Sequence, residues 1–466
     1  MKKLTSILTL VLLAAGIASA QEEEQYNQYG VKVGIDPLVA EAQDGILVLR
    51  SKSNSGYKIW LDNRVQVDGA AFFGEQDWAD GISNGLSIRR ARFAVKTQLD
   101  NDWYGEVDLD MANGMFELKD AIIRYTGLEN WQFQAGSFKE IFSIQRNNSS
   151  RYLQFIERPM ITSALAPSRS IGFNVNYYKN GIFANLGIHG PAIEGSEERT
   201  YSEDKSKSNL GPDEGLSYTL KLIYQPGWNK TDWGLHIGGA ISYRNPKTTE
   251  ETWQKARYST RNTTAINRKK YIDTGEFSYD HALLYTGELA GYWKGFRGEA
   301  VYMGNTTYLP ADAAGAVGTK TFNGWYVQGG YLLFGGLQRY DGAGGKFTRV
   351  KRGQKWGDVE LCGRVEYVDL NADRALADAD KKLMGGSAMG YSLGLNYYAT
   401  DHVKFQLNWQ YTDNDRWASG KGNKFVVGRD ASGAAVKDPT KADVAASGGN
   451  VGVNYHMVAF RMEIDF

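Results

Sequence analysis

The chain is poor in the residues that most often carry covalent or metal chemistry. Its one cysteine, Cys362, excludes an intrachain disulfide framework. It has five histidines, and no His-Glu-x-x-His, P-loop, CxxC or EF-hand spacing accompanies them. No catalytic residue, metal ligand or cofactor is therefore expected. Nine prolines argue against a Pro-rich linker architecture. No segment beyond residue 20 approaches the roughly 18 apolar residues of a membrane-spanning helix. Neither sign of charge dominates, with 53 basic residues against 53 acidic ones. Total charge thus points to no nucleic-acid partner and leaves the sign of any ligand to local clusters. A second domain and a repeat of fixed period are also missing.

What is present begins with an export signal. Met1-Lys2-Lys3 is basic, Leu4 to Gly16 is mostly apolar, and Ala18-Ser19-Ala20 is an A-x-A cleavage site. Cleavage near Ala20 starts the mature chain at Gln21 with 51 basic and 53 acidic residues, and no cysteine follows to anchor a lipoprotein. An exported chain that sits in a membrane without a spanning helix must be a closed barrel, because nothing else satisfies every backbone group there. The 54 glycines, 28 tyrosines and 12 tryptophans suit tight turns and aromatic girdles.

The last strand carries this reading. Val458, Phe460, Met462, Ile464 and Phe466 share one face, and Ala459, Arg461, Glu463 and Asp465 share the other. Lipid outside and water inside account for both faces, and the aromatic carboxy terminus suits an outer-membrane barrel. Period-2 alternation recurs in sixteen segments: 57–72, 86–99, 103–111, 118–126, 131–138, 171–178, 181–188, 217–225, 232–243, 282–293, 296–303, 322–334, 358–369, 389–399, 402–412 and 453–466. Connections such as Asp100-Asn101-Asp102, Lys179-Asn180 and Lys294-Gly295 are tight turns, and the alternate ones are mostly long. That asymmetry separates a periplasmic from an extracellular side. Segment 335–357 breaks it, because a short turn belongs there. Residues 21–56 form a periplasmic N-terminal segment, in which Ile46 to Arg50 can add a short strand. The barrel domain is 57–466.

The local charge pattern supplies the candidate site. A turn centred on Asn101 puts Lys96 across from Glu106 and Arg92 across from Asp110, all facing the lumen. Such cross-strand pairs stabilise by about 0.2–1 kcal/mol each. Segment 139–170 holds Lys139, Arg146, Arg151, Arg158 and Arg169 against Glu140 and Glu157, an excess of three positive charges. An inward-folded loop of this composition narrows a pore with a ring that selects anions. Alternatively its arginines clamp the loop to wall acids such as Asp108 and Asp110. The anion-binding and pore-lining candidates are Arg90, Arg92, Lys96, Arg124, Lys139, Arg146, Arg151, Arg158 and Arg169. Segments 244–281 and 335–357 are basic as well, and the first can draw anions toward the mouth or contact lipopolysaccharide.

Several stretches carry a family resemblance. They are Arg89-Arg90-Ala91-Arg92-Phe93, Phe116-Glu117-Leu118-Lys119-Asp120-Ala121 and Gly136-Ser137-Phe138-Lys139-Glu140-Ile141-Phe142-Ser143. The run continues through Ser150-Arg151-Tyr152-Leu153, Phe155-Ile156-Glu157-Arg158 and Ala166-Pro167-Ser168-Arg169. Together they closely resemble the phosphate-selective porin O and P family over about residues 86–180, and Arg339-Tyr340-Asp341-Gly342 adds to the match. The resemblance implies a sixteen-stranded barrel, usually a homotrimer, that takes up phosphate or related small anions in a Gram-negative outer membrane. It also implies inward folding of further segments. Glu106, Asp108 and Asp110 depart from a wholly positive wall, which weakens strict phosphate selectivity more than anion passage. Competing readings are a general or oligosaccharide porin, a closed barrel adhesin, and an outer-membrane enzyme. His236, expected in the lumen, is the histidine on which the enzyme reading would turn. His456 is expected on the lipid side.

Overall fold

In a computed structural model the described residues are 25–26, 32–33 and 37–466. Within the last range 44, 76–81, 113, 194–214, 247–254, 267–268, 312–314, 316, 373–382, 416, 420–423, 427, 437–440, 442, 444 and 447–451 are excepted. The expected leader, residues 1–20, lies outside the described residues. Sixteen strands among those described close into one antiparallel barrel. They are β1 (Lys58–Phe73), β2 (Gly85–Leu99), β3 (Trp103–Asp110), β4 (Glu117–Tyr125), β5 (Trp131–Lys139), β6 (Arg169–Lys179), β7 (Ile182–His189) and β8 (Ser217–Tyr224). The circuit continues through β9 (Trp233–Arg244), β10 (His281–Trp293), β11 (Phe296–Tyr308), β12 (Thr319–Leu332), β13 (Asp358–Ala372), β14 (Leu383–Tyr398), β15 (Val403–Asn414) and β16 (Asn454–Asp465).

Alternation decides the faces. In β16 Val458, Phe460, Met462 and Ile464 are exposed on the outer surface, while Ala459, Arg461, Glu463 and Asp465 are buried within. Outward Trp103 packs beside Tyr125 and Trp131 beside Tyr177 with their rings tilted, all near the short turns, as an interfacial girdle requires. The turns follow local backbone chemistry. Asn180 and Gly181 both take positive φ, 50° and 78°, and join the paired Lys179 and Ile182 in the two-residue hairpin loop favoured by strand twist. Gly136 in β5 is obligatory for a different reason. Its φ is 122°, and a Cβ there would lie 1.9 Å from the Ala121 carbonyl oxygen.

The barrel closes by pairing β16 with β1, from Phe73 opposite His456 to Arg64 opposite Asp465. Below that point β1 pairs with Ile46–Ser51, the second arm of a hairpin whose first arm is Leu38–Gln43. The sheet therefore begins at Leu38, before the expected boundary at 57, because the short strand expected at Ile46 to Arg50 forms and recruits a partner. β11, β13 and β14 extend further toward the extracellular side than the alternation indicates.

One expectation about the lumen is corrected. Inward positions on β9 to β14 are not uniformly polar: Ala282, Leu284, Val301, Met303, Phe322, Tyr326 and Val368 are buried there. They form one apolar cluster with Phe142, Ile144, Met160, Ile161 and Leu165 of the connection between β5 and β6. Aromatic rings are therefore divided between the lipid face and this internal core.

Candidate functional site

Three connections fold into the barrel. The β5–β6 connection carries α1 (Ile144–Asn147), capped by the Ser143 side chain, a 3-10 turn at Ser150–Tyr152, and α2 (Met160–Leu165). Wall side chains satisfy its backbone. The Ile144 amide donates to Glu288 Oε1 at 2.7 Å and the Met160 amide to Glu366 Oε2 at 2.5 Å. Lys404 Nζ donates to the Arg151 carbonyl at 2.6 Å, and Arg297 Nη1 to the Tyr152 carbonyl at 3.0 Å. The β9–β10 connection enters from the extracellular side, where Asn262 Nδ2 donates to Asn414 Oδ1 at 2.7 Å.

Segment 335–357 is the long connection where a short turn belongs. It enters from the opposite end, and Phe347 N donates to Asn148 Oδ1 at 2.9 Å, so two inward segments meet in the lumen. Its Tyr340 hydroxyl lies 2.6 Å from His236 Nδ1. His236 is in the lumen and His456 is outside, against Trp409 and Tyr411, as expected.

Open space remains between the β5–β6 connection and strands β1 to β6. A cavity of about 150 Å³ lies there, lined by Arg64, Arg90, Arg92, Lys96, Lys139, Arg151, Arg158 and Arg169 together with Asp62, Glu106, Asp108 and Asp120. Eight basic groups face four acidic ones. The hairpin register is the one expected, with Arg92 opposite Asp110 and Lys96 opposite Glu106. Arg92 Nη1 lies 2.5 Å from Asp108 Oδ2, and Arg92 Nε 3.2 Å from Asp110 Oδ2. Arg169 grips Asp120 with two nitrogens at 2.9 and 2.7 Å. Arg151 pairs with Asp62 and, at 3.0 Å, with Asp465. Arg158 donates to the Gln145 and Asn148 carbonyls at 2.6 and 2.8 Å, and Lys139 to the Asn148 carbonyl at 3.2 Å. Clamping and lining thus coincide in the same side chains.

Seven of the nine candidates line this cavity. Arg124 instead lines a second cavity of about 270 Å³, shared with Lys139 and Lys346, and lies 4.7 Å from the Tyr104 ring centre. Arg146 lines neither. It turns back on its own segment, where Nη2 donates to the Thr162 and Ala166 carbonyls at 3.1 and 3.0 Å. Its position beside the end of α2 makes it a staple of the loop.

Two arginines near the cavity lie outside the nine candidates. Arg64 falls on the inward face of β1 by simple alternation and was legible there. Arg89 was not, because alternation with Arg90 and Arg92 assigns it to lipid. A β-bulge decides otherwise: Gln66 pairs with Arg90 and Val67 with Ile88, so Arg89 is an extra residue. It faces Glu157 of the inward connection, with Nε 2.5 Å from Oε1 and Nη2 3.2 Å from Oε2. Burial alone would raise the Glu157 carboxyl, but Arg89, Arg90 and Arg461 outweigh it and hold the group far below the usual carboxylate range. Arg89 and Glu157 also line an outer cavity of about 410 Å³ with Arg261, Lys270 and several hydroxyls.

A closed antiparallel barrel with an apolar outer face, polar cavities inside and connections folded into its lumen is the architecture of a porin of a Gram-negative outer membrane. The phosphate-selective porin O and P family model matches residues 61–430, and the chain belongs to that family. It is 26% identical over 363 residues to an uncharacterized protein of Caulobacter vibrioides, across 75% of this chain and 67% of that one. It is 21% identical over 441 residues to Porin O of Pseudomonas aeruginosa, across 89% and 96%. Among solved structures it is similar to the anion-selective porin from Comamonas acidovorans, with TM-score 0.47 and 11% identity over 88% of this chain and 99% of that one.

Proposed function

We propose that this porin is a passive channel for small anions, with phosphate or related oxyanions as the preferred class. The observation that carries the reading is the excess of basic groups, eight against four, around the cavity of about 150 Å³ between the β5–β6 connection and β1 to β6. A low-dielectric wall focuses the field of such a ring on a passing ion. Arginine supplies six of the eight cations, and its planar fork matches the oxygens of phosphate. In the outer cavity Arg89, Arg261 and Lys270 face Glu157, so the positive excess continues outward, while in the cavity beneath Arg124, Lys139 and Lys346 are matched by Glu106, Asp120 and Asp341. Asp62, Glu106, Asp108 and Asp120 hold Lys96 and the arginines in place and moderate the excess, which favours passage over tight retention. Residues 1–20 serve as the cleaved leader, 21–56 lie on the periplasmic side, and the barrel assembles as the homotrimer usual for the family, in contact with lipopolysaccharide.

The test is reversal potential in a salt gradient across planar bilayers, with phosphate added to block chloride current. Arg151→Ala with Arg158→Ala is expected to lower anion over cation permeability several-fold. Unchanged selectivity would reduce both residues to loop clamps, and a cation-selective parent channel would end the anion reading.

A further inference from the structure

Glu157 is bound in the way a free anion would be. Its two oxygens accept from the Arg89 fork at 2.5 and 3.2 Å, and Oε1 also lies 3.3 Å from Arg461 Nη2. A planar pair of oxygens across one guanidinium is the geometry of phosphate and carboxylate recognition. Arg461 is fully buried and is oriented independently of Glu157: Asp68 takes its Nε and Nη2 at 2.6 Å each, and the Ile156 carbonyl takes Nη1 at 2.6 Å. The Arg89 position exists because of the bulge in β2. With Arg90 beside them, three cations surround Glu157 and Asp68, so removing the Glu157 charge leaves three against one. Glu157 also sits at a junction, since it lines the outer cavity and the next residue, Arg158, lines the narrow one.

We infer that Glu157 is a tethered competitor that occupies an oxyanion site formed by Arg89 and Arg461 at the mouth of the constriction. An arriving oxyanion displaces the carboxylate into the outer cavity, where Lys270, which donates to Ser259 Oγ at 2.9 Å, lines the wall. Return of the carboxylate then expels the anion inward. A channel needs sites that bind well enough to admit an ion and weakly enough to release it, and a built-in rival anion supplies that limit. The inference rests on the anion-channel reading.

The experiment uses the full-length protein in planar bilayers and measures the phosphate concentration that half-blocks chloride current. Glu157→Gln is expected to lower that concentration roughly tenfold, the scale of one close charge pair. Two double variants separate a site from a general field, because both restore the parent's net charge. Arg89→Gln with Glu157→Gln is expected to lose the gain, and Lys270→Gln with Glu157→Gln to keep it. Equal loss or equal retention in both overturns the inference. Arsenate soaked into crystals of Glu157→Gln is expected to give anomalous density between Arg89 and Arg461, and none there overturns it too. If Glu157→Gln fails to fold, Glu157→Asp, which keeps the charge but shortens the reach to Arg89, is expected to give a smaller gain in block; no gain counts against the site. Phosphate block in the parent left unaltered by the substitutions removes only this inference. No block in any variant removes the anion reading with it.

Discussion

The two halves of the lumen use the same residue types to opposite ends. On β10 to β15, buried charges serve the backbone of the inward connection. Glu288 and Glu366 accept its amides, and Arg297 and Lys404 donate to its carbonyls. An apolar cluster fills the space beside them. On β1 to β6, Arg92, Lys96 and Arg169 pair with carboxylates along the wall and border open volume. Alternation alone makes both halves look like lumen wall. Charges on β10 to β15 reach the connection beside a filled core, Arg92, Lys96 and Arg169 reach wall carboxylates beside open volume, and Lys139 and Arg158 do both, holding the connection while lining the cavity.

The sharpest way to break this contrast is to cut an anchor. Glu288 accepts from the Ile144 amide and from Lys221 Nζ at 2.5 Å, and Lys221 is fully buried. Glu288→Ala strands that ammonium and is expected to destabilise the barrel by about 3–5 kcal/mol. Heat-dependent gel mobility would show it, and a larger, noisier conductance would show the loop released. A parent-like melting point and a quiet channel would mean the half is not an anchor.

The converse test removes a lining charge. Lys96 is partly exposed to the cavity and pairs with Asp62 and, at 3.6 Å, with Glu106. Lys96→Gln is expected to cost no more than about 1 kcal/mol while lowering anion over cation permeability by roughly twofold. A stability loss as large as that of Glu288→Ala would erase the distinction between the halves.

The smallest effect is a titration in segment 335–357. Burial pushes the Lys346 ammonium below its ordinary value, with Asp341 opposing and Arg124 reinforcing the shift. Its charge is therefore lost at a lower pH than that of an exposed lysine. Anion selectivity is expected to decline slightly as pH rises toward the lysine range, and Lys346→Met is expected to flatten that decline. An identical pH profile in the variant would place Lys346 outside the ion path.

Much of the architecture was legible because a barrel strand states its faces every second residue. The sixteen strands and the Arg92–Asp110 and Lys96–Glu106 register follow from that period and from turn chemistry, and the inward loop from the likeness to porins. What escaped was non-local. Leu284, Met303 and Phe322 point inward because Ile144, Met160 and Ile161 arrive from a distant segment to cover them. Arg146 and Arg158 both donate to carbonyls of their own connection, yet only the fold of that connection brings Arg158 to the cavity and leaves Arg146 away from it. Arg89 escaped for a third reason: a bulge cancels the alternation where two successive arginines, Arg89 and Arg90, each line a cavity.

That bulge is a single residue. Deleting Arg89 would restore straight pairing between Val67–Ile88 and Gln66–Arg90 without touching a turn or the lipid face. The loss of one codon is thus enough to straighten β2 and empty the Arg89 position while the pairing of the barrel around it stays the same.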